Sequence, residues 1–373
     1  MRSKPLIALA AVTLVAVAGA GYVLRDRGQE PAAVAPPAEF FPGLLAKVNE
    51  VQSVAVHLPE SAFTVRREGD GWVMPEKSGY PVKFETVKQA VVGMASLKPR
   101  EAKTAKPENY AKVKALDPRK DGDPKGEGVL LRLVGQGDKE IAALIVGATD
   151  SVPTSAREGW YYVRKPEEAR TWLASGRVEL SDKPVGWLDS DMVQVNRDRV
   201  RTATAVQPDG AAVTVFRDKS GDANFKVENV PEGSKVLHET APNSLGSALG
   251  FLSFEDVKPL AEVKFDGANK AVFATFDGLV LTVEVVALEG QNWARFSAAH
   301  DPAAARPEGV EEKHKEITKA PEDVAKEAET INKRFGVWAY QIPGFKADDL
   351  RTKLDKLVIA PEKDEKQPDD KQG

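Results

Sequence analysis

Short apolar alternations, each closed by a turn rich in Gly, Asp or Pro, run twice through this chain in the same order, and one amphipathic helix lies inside each series. In the first series Val51–Leu58 and Phe63–Arg67 alternate, Glu68-Gly69-Asp70-Gly71 reads as a turn, and Trp72-Val73-Met74 follows. Successive side chains on a strand point to opposite faces, so period-two alternation on either side of a Gly/Asp turn predicts a β-hairpin. Phe84–Leu97 places Phe84, Val87, Val91, Met94 and Leu97 on one helical stripe, and Pro99 ends it. Lys103–Gly128 is a polar loop. Val129–Val134 and Ile141–Val146 flank the turn Gly135-Gln136-Gly137-Asp138, Gly159–Arg164 adds a strand, and Pro166–Leu173 is expected to be a short helix.

The second series repeats the order. Arg201–Val206 and Ala211–Phe216 flank Pro208-Asp209-Gly210, Phe225–Val227 takes the place of Trp72, and a helix is expected from about Asn243 to Leu252. Lys258-Pro259 echoes Lys98-Pro99, Ala271–Phe276 and Val280–Ala287 form the next pair, Gly336–Tyr340 parallels Gly159–Val163, and Phe345–Leu357 is expected to be a terminal helix. A repeat at ~160 residues is too long for a solenoid and implies two similar domains. The expected fold class is therefore α+β: an internal duplication of a mostly antiparallel sheet packed with helices, placed after one N-terminal transmembrane helix. The boundaries are residues 1–27 for the anchor or signal, 28–43 for a Pro/Ala-rich linker, 44–188 and 189–359 for the two repeats, and 360–373 for a disordered tail. A charged helical insertion at 301–334 falls outside the repeat and is expected to be mostly solvated.

The anchor rests on Pro5–Leu24, an uncharged run between Arg2, Lys4 and Arg25-Asp26-Arg27. About 20 residues at ~1.5 Å each span about 30 Å, one hydrocarbon core. Ala18-Gly19-Ala20 would suit a signal-peptidase site after Ala20. The apolar run continues through Leu24, however, with Tyr22 near its end where interfacial aromatics lie. An uncleaved anchor with the C-terminal bulk outside is the expectation, and a cleaved signal the alternative. The five charged residues at positions 2–27 contribute +3 to a net charge of −4, so the remainder carries −7. An acidic body has no field to neutralise phosphates, which argues against a nucleic-acid partner. The absence of cysteine excludes disulfides, thiolate catalysis and zinc–thiolate sites, and accords with an oxidising compartment.

No motif assembles a reaction centre, and neither catalytic, cofactor-binding nor metal-binding residues are assigned. His57, His238, His300 and His314 lack metal-site spacing; His57 is expected to be half-buried in a strand, and His300 and His314 solvated. Ser244 is read as a helix cap, and no G-x-S-x-G elbow or phosphate-binding loop is present. Asp189 and Asp191 could stand at glycosidase spacing but are read as a loop or cap pair. Asp117–Asp123 lacks the calcium-loop register. Trp160, Tyr162, Trp338 and Tyr340 are read as core packing.

Several framework segments, taken in order, resemble the bacterial family known as domain of unknown function 4340. They are Gly71-Trp72-Val73, the exit Leu97-Lys98-Pro99, Ile145-Val146-Gly147, Tyr161-Tyr162-Val163-Arg164 and Lys183-Pro184-Val185-Gly186-Trp187-Leu188. The resemblance implies one N-terminal transmembrane segment and an accompanying ABC export system, permease and ATPase, of the gliding-motility type. Taken with the anchor, the doubled body and the lack of a reaction centre, it gives the expected function: a non-catalytic auxiliary subunit, without cofactor, crossing the bacterial inner membrane once with its bulk in the periplasm. The alternatives are a periplasmic protein binding an envelope glycan or lipid and, less favoured, an envelope hydrolase acting through Asp189 and Asp191.

Overall fold

The computed structural model describes residues 38–120, 125–151, 158–178 and 180–359. The expected span Pro5–Leu24, the linker up to residue 37 and the tail from residue 360 lie outside them. Among the described residues, no helix is long and apolar enough to cross a membrane. The chain divides into two compact units. The first runs to Met74 and again over Val82–Trp187; the second takes Pro75–Pro81 and everything from Leu188.

The first unit is built on β1 (Ser53–His57), β2 (Ala62–Glu68), β3 (Gly71–Met74), β4 (Lys98–Ala102), β5 (Val129–Val134), β6 (Glu140–Asp150), β7 (Gly159–Arg164) and β8 (Thr171–Gly176). Within it the sheet order is β3-β2-β1-β5-β6-β7-β8-β4, and the strand pairs are antiparallel. A three-strand meander thus crosses to the far edge, returns to the centre beside β1, and closes with a four-strand meander. Helices α1 (Leu44–Lys47) and α2 (Phe84–Ala95) accompany the sheet. Alternation sorts the faces as expected. Val54 pairs with Val65, and Val56 with Phe63, and all four are buried. On α2 the buried residues are Val87, Ala90, Val91, Gly93 and Met94. Gly93 is required there, because a Cβ at that position would press into the Arg177 carbonyl oxygen.

The second unit contains β9 (Val200–Val206), β10 (Ala212–Phe216), β11 (Lys226–Val227), β12 (Asp256–Pro259), β13 (Asn269–Thr275), β14 (Leu279–Leu288), β15 (Gln291–His300) and β16 (Trp338–Ile342). Their order, β11-β10-β9-β13-β14-β15-β16-β12, repeats that of the first unit strand for strand. Its helices are α3 (Asn243–Gly246), α4 (Pro321–Phe335) and α5 (Gly344–Leu350). As α2 precedes β4, so α3 precedes β12, and Gly246 lies against the Phe225 ring where a Cβ would not fit.

This order corrects several expectations. Thr171–Gly176 is a strand rather than part of a helix. Its residues are all buried, so it shows no alternation to read, and Pro166-Glu167-Glu168 imitates a helix start. Gln291–His300 is a further strand, which moves the correspondence: β15 occupies the place of β7, and β16, with its Trp338-Ala339-Tyr340, the place of β8 rather than that of Gly159–Val163. The Asn243 helix is a single turn, although Leu245, Ala248, Leu249 and Leu252 are buried as the stripe requires. The terminal helix stops at Leu350. The charged segment replaces the short β7–β8 connection, residues 165–170, with residues 301–337. Its helix α4 is not mostly solvated: it buries Val324, Ala328, Ile331 and Phe335, and the Asn332 side chain bonds both the N–H and the carbonyl of Ala298 on β15.

Candidate functional site

Two kinds of feature compete for a functional role: polar clusters in the second unit, and an open groove in the first. The densest cluster forms around Arg199, whose guanidinium is buried. Its Nε donates to Asp277 Oδ2 at 2.8 Å, and its Nη1 and Nη2 grip Glu327 at 2.9 and 2.6 Å. Lys319 adds an ammonium 3.1 Å from Glu327 and a backbone N–H to Asp277, and Thr275 donates to the other oxygen of Asp277. Burial alone would raise the Glu327 carboxyl, but hydrogen bonds and charge from Arg199 and Lys319 outweigh it and hold it below the usual carboxylate range. Every oxygen is occupied, so this cluster fastens α4 to β9 and the β13–β14 turn.

A second cluster brings together residue types of a nucleophilic triad. Ser220 Oγ lies 3.0 Å from His314 Nδ1, and His314 Nε2 lies 3.8 Å from Asp198 Oδ2. His314 is thus half-buried and engaged, not solvated as the sequence suggests. Ser220 is only 1% exposed and already accepts the Glu311 N–H, so its hydroxyl faces no substrate. Beside it Arg217, fully buried, donates to the carbonyls of Arg197, Val200, Ser220 and Asp222 and stacks 4.5 Å over Phe225. This cluster too is a fastening, holding the start of the charged segment.

The other sequence candidates resolve similarly. Asp189 Oδ1 accepts the Asp191 N–H at 3.3 Å in a local turn, and Oδ2 accepts from Arg334 at 2.9 Å. Ser244 does not cap its helix; its hydroxyl donates to the Ala241 carbonyl, while Asn243 receives the Phe225 N–H. Asp117 is buried and gripped by the Arg119 guanidinium and N–H, and its carboxyl lies below the usual range because these bonds outweigh burial. His57 is half-buried in β1, its pKa lowered by burial and then by Arg119 and Arg132. His238 Nδ1 lies 3.0 Å from Thr240 Oγ1, two residues along the chain. Trp160 and Tyr162 are half-buried rather than core, with the Tyr162 hydroxyl donating to Asp150. Tyr340 is core, ringed by Tyr80, Phe254, Phe296 and Phe335, and burial pushes the Tyr80 phenol up to about 12. Among the described residues, no three acidic or histidine side chains gather as a metal site.

The groove lies in the first unit and holds about 250 Å³. Val48, Asn49 and Val51 form one wall, Phe84, Val87, Lys88, Val91 and Val92 of α2 the second, and Arg67, Asp70 and Trp72 of the β2–β3 hairpin the third. Local pattern explains the walls. Phe63 and Val65 point into the core, so Arg67, two residues further along β2, shares their face; Trp72 is its register partner across the hairpin. On α2, Phe84, Lys88 and Val92 repeat every four residues beside the buried stripe. Phe84 is 63% exposed, which corrects its expected place in the core: the stripe begins at Val87. Sequence reasoning missed the groove because its walls come from three separate stretches. The one signal was Phe84, an aromatic at a helix's first residue with no capping side chain ahead of it.

The chain belongs to the family described as a domain of unknown function, DUF4340, whose model matches residues 72–268, more than half of it. No curated protein and no solved structure matches the chain.

Proposed function

We propose that this chain is a non-catalytic protein of the bacterial envelope, held in the inner membrane by the single span Pro5–Leu24 with its bulk in the periplasm, serving as an auxiliary subunit of an ABC-type export or envelope complex. What supports the reading is the employment of the reactive side chains. Asp189, Ser220, Asp277 and Glu327, the groups best suited to chemistry, are each engaged in hydrogen bonds or ion pairs that fasten one element to another, and Asp117 is engaged within its own loop. The two units are read in the same way as descendants of one duplicated module, on the strength of their shared strand order and the glycine that each places on its crossover helix. A scaffold that doubles its surface and lengthens one loop is suited to meeting partners rather than turning over substrate. Affinity purification of the tagged full chain from bacterial membranes in mild detergent tests this. Co-purification of a permease and an ATPase is the expected result; recovery as a monomer without partners would overturn it.

A further inference from the structure

The groove between α2 and the β2–β3 hairpin has core residues Val51, Val87 and Val91 in its lining, and its rim is open. Of its eleven lining residues, seven are apolar: Val48, Val51, Trp72, Phe84, Val87, Val91 and Val92. Water in such a groove gains little from its walls, and an exposed Phe84 beside a half-buried Trp72 leaves aromatic surface uncovered that a ligand would bury. The polar residues stand at its rim. Arg67 and Lys88 are the cations and Asp70 the one carboxylate. Arg67 makes no ion pair among the described residues, and Lys88 shares only an exposed contact of 3.3 Å with Glu85.

At about 250 Å³ the groove is smaller than the ~300–1,000 Å³ of pockets that enclose a whole ligand. It suits one flexible chain with its head left at the mouth. We propose that the groove binds a single acyl chain carrying a carboxylate head, the chain lying on Trp72 and Phe84 and the head meeting Arg67 and Lys88. This inference stands on the groove alone and is independent of whether partners are recovered.

The test uses the full chain, labelled with 5-fluorotryptophan and held in a polymer-bounded membrane disc, with decanoate, decylammonium and decanol as probes. Decanoate is expected to shift the Trp72 fluorine line saturably, and binding should tighten about fourfold per methylene between hexanoate and decanoate. Decylammonium should bind more weakly than decanol. F84S should weaken all three probes, and R67Q and K88E should weaken decanoate alone, about tenfold. D70N should tighten it. The buried Trp187 line serves as the folding control. If F84S moves that line, the surface change K88E decides the matter. An unresponsive Trp72 line, equal binding of decylammonium and decanoate, or unchanged affinity in K88E would each overturn the proposal.

Discussion

The two units share a strand order yet are secured by different forces. In the first, a twelve-residue helix supplies Val87, Ala90, Val91 and Met94 to the core, and the connection from β7 to β8 is short. Its buried Arg164 donates to the Ala115 and Pro166 carbonyls, acceptors that do not titrate. In the second, the helix at the same place in the order is one turn long, and the connection between the matching strands is a long segment tied down where Arg199 meets two carboxylates. One topology tolerates either solution, because the sheet order fixes where strands go and leaves open what covers them.

The sharpest way to break this comparison is to cut the ionic tie. Arg199→Ala removes the buried guanidinium from Asp277 and Glu327 and leaves them Lys319 alone as a cation, and removing one member of a buried pair costs about 3–5 kcal/mol. Hydrogen exchange should report the loss in the second unit, centred on α4. A comparable loss confined to the first unit is expected from Trp187→Ala, about 3–5 kcal/mol for a fully buried ring packed edge-on to Phe63. If either variant destabilises both units equally, the contrast fails.

Acid sharpens the same contrast. The Glu327 carboxyl is held below its ordinary value of 4.5, so its contribution is present above that pH and is lost as pH falls through the lowered, folded value. Urea denaturation between pH 6 and 3 should therefore weaken α4, and E327Q should flatten that dependence. In the first unit Asp117 behaves with the same sign, but its partner Arg119 is two residues away, so its protonation loosens a loop rather than an element.

Smaller effects follow from backbone geometry. Gly93→Ala and Gly246→Ala should each cost about 1–3 kcal/mol by overpacking, the first against the Arg177 carbonyl oxygen and the second against the buried Phe225 ring, read as a fall in thermal midpoint. Phe251 is 93% exposed at φ 54°, a left-handed conformation that suits glycine, and Phe251→Gly should stabilise the second unit by about 1 kcal/mol in thermal melts.

Much of this architecture is legible in the chain. The hairpins around Glu68–Gly71 and Pro208–Gly210 could be read because one face of each strand is buried and the other is not. The strand Thr171–Gly176 could not, because a segment buried on every side carries no period. Edge strands β4 and β12 were hidden behind Pro99 and Pro259, which signal the end of a helix as readily as the start of an edge strand. The groove was out of reach altogether. Its meaning depends on Phe84 lying outside the core, and a helical wheel gives the stripe's direction but not where the sheet beneath it ends. Carboxylates such as Asp277 and Glu327, 50 residues apart, gave no sign of meeting on Arg199.

The assignment of Pro75–Pro81 to the second unit has a consequence for how the chain is made. Tyr80 finds its aromatic neighbours Phe254, Trp338 and Tyr340, and Lys77 its ion-pair partner Asp256, among residues that follow much later. During synthesis from the N-terminus this stretch emerges early, in the middle of the first unit, and must wait with a large aromatic unburied until nearly the whole chain has followed. A truncation at Trp187 would leave it waiting permanently, so the first unit cannot be cut out cleanly at any single bond.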